Sequence, residues 1–282
     1  MRPSVRPFGA FLLAAALLGS ACASAGAARG GISHANGASD LILRIDLQGG
    51  FIAPQVLLRR LPELALYGDG RLITPGPQIE IYPGPALPNL QVRTVSEAGI
   101  QAILAAARRA GLLGPDRQYN GRMPDVPTTT FTVVAGGARH VVSVQGLGAA
   151  GPSVGSPGSD SVAVAKLAAF QSKMTDLSSW LPRGSLGPDQ PFRTDEMRVY
   201  VLPYQAQQDL PQRAKDWPAD GFGGFLPVVD LAGIRCGTVS GPPLQAVLSA
   251  ASGANELTPW LADGRRWTVV FRPLLPDESG CR

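Results

Sequence analysis

Asp69-Gly70 separates the apolar runs 64–67 and 72–73, and no other local signal limits the fold as tightly. A tight turn between paired strands needs positive φ, which Asp and Gly tolerate, so the flanking runs read as a β-hairpin. The signal recurs at Gly136-Gly137, between 128–134 and 138–144, and at Asp263-Gly264, between 260–262 and 265–271. A chain built from hairpins makes antiparallel sheet. Proline limits the strand length. Pro75, Pro77, Pro83, Pro85 and Pro88 crowd the stretch after the first hairpin, so 79–82 reads as a short edge strand.

Further strands are expected where apolar residues alternate or run together: 41–47, 197–202, 226–231 and 234–239. Helices are expected where they recur at helical spacing. Ile100, Ile103, Leu104 and Ala107 form one stripe, opened by Thr94 and Glu97 at capping-box spacing. Arg108, Arg109 and Gly111 suit its end. Ala163, Leu167, Phe170, Met174 and Leu177 form a second stripe, which Asp160 would cap, and Leu244, Val247, Leu248 and Ala251 a third, shorter one. Residues 204–224 read as a long surface loop. The expected class is α+β: antiparallel sheets of short hairpins with two to three packed helices. Residues 182–191 divide an N-terminal half, 40–182, from a C-terminal half, 192–282.

The first 22 residues carry a different message. Arg2 and Arg6 precede an apolar run from Phe8 to Leu18, and small residues lead to Cys22. This is the layout of a secretory leader. The segment resembles a bacterial lipobox, with Gly19 where leucine is usual. The resemblance implies cleavage before Cys22 and lipid attachment there. Two other readings are a cleaved leader without lipid and an uncleaved anchor, since no charge falls between Phe8 and Ala28. The strongly apolar part stops at Leu18, which favours the lipoprotein. Residues 23–39 are small and polar and read as a flexible tether, with His34 solvated in it.

Lipidation of Cys22 leaves Cys236 and Cys281 of the three cysteines. In an exported chain they pair as a structural disulfide, and two cysteines without a nearby histidine make no metal site. Formal net charge is +4, and the leader's two arginines account for half of it. Nucleic-acid binders show a clustered basic face, so that class is excluded.

The stretches LYGDGRLI at 66–73, IYPGPALP at 81–88, AGLLGPD at 110–116 and FRPLLPDESGC at 271–281 resemble uncharacterised secreted lipoproteins of high-GC Gram-positive bacteria. The resemblance implies a location and supplies no activity. Four constellations were candidates for chemistry. Gly151-Pro152-Ser153-Val154-Gly155 matches G-x-S-x-G, but lies in a Gly/Ser/Pro loop with no histidine after it. His140 has no identifiable partner and reads as a surface or cross-strand residue. Asp277 and Glu278, with Asp216 or Asp220, offer carboxylates, best read as solvated. Trp217, Trp260 and Trp267 suit a sugar-stacking platform or a core, and the core is favoured; Trp260 and Trp267 would face each other across their hairpin.

No catalytic residue or cofactor follows from this. The expected protein is a lipoprotein on the extracytoplasmic face of the cell membrane, with a non-enzymatic binding or envelope-maintenance role. Its partners would be the membrane, through Cys22, and an envelope protein or glycan. The alternative is an extracellular hydrolase or an inhibitor-like module.

Overall fold

The hairpins nucleate two sheets. The computed structural model describes residues 30–120, 125–148, 159–229 and 231–281. In chain order the first half contributes β1 (Leu41–Gln48), α1 (Pro54–Arg59), β2 (Leu64–Tyr67), β3 (Arg71–Pro75), β4 (Leu90–Thr94), α2 (Glu97–Arg109), β5 (Arg117–Tyr119), β6 (Thr128–Ala135), β7 (Ala138–Gln145) and α3 (Ser159–Thr175). After β8 (Gln190–Pro191) come β9 (Glu196–Pro203), β10 (Lys215–Asp216), β11 (Leu226–Pro227), β12 (Arg235–Ser240), α4 (Pro242–Ser252), β13 (Pro259–Ala262) and β14 (Arg265–Pro273). The eight-stranded sheet runs β5-β7-β6-β1-β2-β3-β4-β8, and the six-stranded one β10-β13-β14-β9-β12-β11. The α+β class and the hairpins stand. Two pairings, β5 with β7 and β10 with β13, are parallel, so both sheets are mixed.

All three predicted hairpins form. Gly136 and Gly137 both take positive φ (63° and 79°), as do Asp263 (52°) and Gly264 (69°), which is the twist two-residue hairpins prefer. The Asp69-Gly70 hairpin differs. Its loop has three residues, 68–70, and of Asp69 and Gly70 only Gly70 is left-handed, at φ 86°.

Each sheet buries one face under helices. Ile103 and Leu104 of α2 and Leu167, Phe170 and Met174 of α3 pack on Leu43, Leu66, Phe131 and Val133. Phe131 meets Phe170 edge to face, with centroids 5.9 Å apart. On the second sheet, Leu244, Val247 and Ala251 of α4 join Val199, Val201, Val269 and Phe271. The opposite faces carry different residues, as strand alternation requires. Tyr67 and Ile73 of the first sheet meet Leu275 of the C-terminal tail. Tyr200, Cys236 and Val270 of the second meet Leu58 of α1.

Several expectations are corrected. Residues 79–82 are not a strand: Ile79, Ile81 and Tyr82 are exposed, and no strand pairs with them among the described residues. The following residues cross to the other half. Pro85 bridges Asn255, and Ala86 packs in the second core. The cap of α2 is Ser96, whose hydroxyl accepts from the Gly99 N–H, and not Thr94, which pairs with Arg71 in β4. Of the described residues in 226–231, only Leu226–Pro227 form a strand. The loop 204–224 is not wholly superficial, since Trp217 and Phe222 are core residues within it. The segment 182–191, read as the division between the halves, is itself tied to the first sheet: β8 extends that sheet and Ser185 is buried.

The tether also ends earlier than expected. Ile32 exchanges hydrogen bonds with Gln101, and Gly136 donates to the Ser33 carbonyl. The His34 side chain is only 8% exposed, with Nε2 3.2 Å from Glu97. A histidine with a carboxylate in reach docks this strand of chain, where composition alone read solvent. Residues Ile32–Arg282 form one compact unit, so the two halves are not independent bodies.

Candidate binding site

Two features are candidates, one polar, where the C-terminal tail meets β1 and β14, the other apolar and open. The polar one is built on β1, where Arg44 and Asp46 interrupt an otherwise apolar strand. The Arg44 guanidinium donates to Asp277 at 2.6 Å, and the Tyr67 hydroxyl donates to the same oxygen at 2.7 Å. Glu278 accepts two parallel hydrogen bonds from Arg272, 2.7 and 2.8 Å, and one from the Leu275 N–H at 3.0 Å. Arg272 also donates to the Arg60 carbonyl, which ties β14 to the end of α1.

Charge stabilises this interior unevenly. Burial pushes the Glu278 carboxyl up, but Arg272, the Leu275 N–H and Arg44 outweigh it and hold it below its usual value. Burial opposes the Arg44 charge as well, and Asp277, Tyr67 and Glu278 more than restore it. Tyr67 is raised by burial and by the bond it donates to Asp277. Asp46 is the exception. Burial raises its carboxyl, Arg44 lowers it only in part, and no hydrogen bond reaches it among the described residues. A carboxylate with a raised native pKa favours the folded state at low pH and loses that contribution as pH rises through its native pKa. Asp46→Asn is therefore expected to raise the melting temperature at pH 7 and to leave it unchanged below pH ~3.8, the ordinary carboxylate range. Equal melting temperatures at pH 7 would refute this.

The apolar feature is a cleft of about 800 Å³. Leu202, Thr268 and Val270 line it from the second sheet, Ile234 from the loop before β12, and Val56 from α1. Alternation along β14 puts Thr268 and Val270 on the face turned away from α4. A polar clamp fixes the wall. Arg59 of α1 pairs with Glu256 at 2.8 Å and donates to the Pro85 carbonyl at 3.0 Å, while Glu256 accepts from the Gly84 N–H. Three segments distant in sequence are thus held around one opening. Val56 and Tyr82, which line the cleft, are exposed apolar side chains. Exposed apolar side chains gathered around a cavity mark an interaction site.

The candidates read from sequence fall elsewhere. Cys22 and Ser153 lie outside the described residues. His140, on β7, donates Nδ1–H to the Gly114 carbonyl at 2.8 Å, a structural bond. Cys236 and Cys281 are joined, with Cα atoms 5.9 Å apart. Asp277 and Glu278 are not free in solvent, because Arg44 and Arg272 pair with them and leave their side chains 20% and 13% exposed. Asp216 sits in β10 beside Leu261, and Asp220 offers its carbonyl to Trp217 Nε1. Trp260 and Trp267 are register partners, as expected, but their rings part. Trp260 meets Trp217 and Phe271, while Trp267 meets Phe222. The tryptophans form core, and no sugar platform. Among the described residues no three His, Cys, Asp or Glu side chains are placed to hold a metal ion, and no helix is long and apolar enough to cross a membrane.

Sequence reasoning missed Arg44, Tyr67 and Arg272. Their signal was present: a cation inside an apolar strand needs a buried partner. The cleft left no such trace, since its walls come from six separate stretches. Comparison with protein families, curated proteins and solved structures finds no match to this chain.

Proposed function

We propose that this chain is an extracytoplasmic lipoprotein, held at the membrane through Cys22, that binds a small apolar or amphiphilic molecule in the cleft beneath α1. The observation that carries the reading is the cleft itself, with its apolar wall and the exposed Val56 and Tyr82 that line it. Its volume lies within the range of small-molecule sites, which are mostly apolar with a few placed polar groups. Gln55, Gln205 and Thr268 supply such groups here. The disulfide suits an oxidising compartment, and the leader and the lipoprotein resemblance suit the same address.

The test uses Nile red, an uncharged apolar fluorophore. The protein is expected to bind it saturably, with a rise in emission. Thr268→Trp fills the cleft from β14, where the side chain is half-buried, and should weaken binding by about tenfold or more, the effect of losing roughly 1.4 kcal/mol of contact. Its melting temperature should stay close to that of the wild type. No saturable binding, or equal affinity in a folded Thr268→Trp protein, would overturn the reading.

A further inference from the structure

A second site lies on the far side of the first sheet. Arg109 from the last turn of α2, Arg117 from β5 and Lys166 from α3 line a cavity of about 240 Å³, together with Tyr119 and an apolar floor of Val142 and Leu167. A neighbouring cavity of about 160 Å³ shares Arg109 and Lys166 and adds Lys173 above Phe170. No carboxylate lines either one. None of these four cations forms an ion pair among the described residues. The chain contains three lysines, and two of them are here.

Local structure explains two of the four. Arg109 complements the C-terminal end of the α2 dipole. Lys173 also lies over the Trp180 ring, 5.4 Å from its centroid. Arg117 and Lys166 have no such partner, and bringing like charges to one groove is unfavourable unless an anion fills it.

We propose that this groove binds a phosphoryl group. Two arginines, a lysine and a tyrosine line it from three different elements. They offer more donors, in more directions, than the two oxygens of a carboxylate can accept, whereas the oxygens of a phosphate match them. The apolar floor suits a phosphate carried on an apolar body as well as a free one. The site is separate from the cleft beneath α1 and does not depend on it.

The experiment titrates the full chain with inorganic phosphate by calorimetry. In parallel, the Cys22→Ser chain, which lacks a lipid of its own, is floated with phosphatidylglycerol or phosphatidylcholine vesicles. The groove variant is Arg117→Gln/Lys166→Gln. The control, Arg265→Gln/Arg266→Gln, removes the same charge from exposed positions on the second sheet. Binding is expected to weaken about tenfold or more in the groove variant and to persist in the control. Loss confined to phosphate identifies a soluble phosphoryl ligand. Loss of phosphatidylglycerol flotation, with none on phosphatidylcholine in any variant, identifies a lipid headgroup. Absence of both kinds of binding in the wild type, or equal weakening by the two variants, would overturn the proposal. Melting temperatures of both variants should match the wild type, because the four substituted side chains are exposed.

Discussion

Arg272→Ala is expected to lower the unfolding free energy by about 3–5 kcal/mol at pH 7, the cost of stranding a buried charge. Arg272 and Glu278 are 10% and 13% exposed, so solvent screens the pair little. Removing the guanidinium takes two hydrogen bonds from Glu278 and one from the Arg60 carbonyl. The pH dependence follows from Glu278. Its native carboxyl is held below the ordinary value of 4.5, so it contributes stability that is complete above 4.5 and lost as pH falls through the native value. Without Arg272 that contribution goes, and the gap between variant and wild type should narrow as pH falls below 4.5. Replacing both partners, as in Arg272→Met/Glu278→Leu, should cost clearly less than the single change, because no charge is stranded. Urea unfolding of the three proteins across pH provides the measurement. A single-variant cost below about 1 kcal/mol would place the pair among surface ion pairs.

Cys281→Ser should cost about 2–4 kcal/mol. The bond closes a separation of 45 residues, for which chain entropy alone predicts roughly 4 kcal/mol. The structure sharpens what is released. The tail does not depend on the disulfide alone. Asp277 is held by Arg44 and Tyr67, Glu278 by Arg272, and Arg198 donates to the carbonyls of Gly280 (2.5 Å) and Ser279 (3.4 Å). From sequence, the last ten or so residues would fray together once the bond is cut. With these contacts in place, carboxypeptidase should trim the Cys281→Ser protein only as far as Ser279. Combined with Arg272→Ala, the loss should extend past Glu278, with a stability cost unequal to the sum of the two, since both act on one short segment. Intact-mass spectrometry reads both results. Trimming far beyond Glu278 in the single variant would show that the ion network does not hold the tail.

The sequence by itself determined what depends on neighbours along the chain. Gly136-Gly137 and Asp263-Gly264 turn their strands because their residues accept positive φ wherever they occur. The stripes of α2, α3 and α4 follow from helical spacing, and the cysteine pairing from there being one pair left to make. The α+β class comes from the same local rules. Three readings failed where a local preference met a distant partner. Thr94 was free to cap α2 in isolation, but Arg71 and Gly187 take its backbone into the first sheet and leave the cap to Ser96. Residues 79–82 had strand-like composition, but no neighbouring strand with which to pair. Asp277 and Glu278 look like free surface charge in a polar tail, and only Arg44 and Arg272, arriving on β1 and β14, draw them into ion pairs. The cleft and the cationic groove belong wholly to tertiary structure. The cleft joins α1, the Tyr82–Ala86 stretch and β14, and the groove joins α2, β5 and α3. A cavity is a relation among surfaces, and its walls need no pattern in any one segment, so only the folded chain decides where one lies.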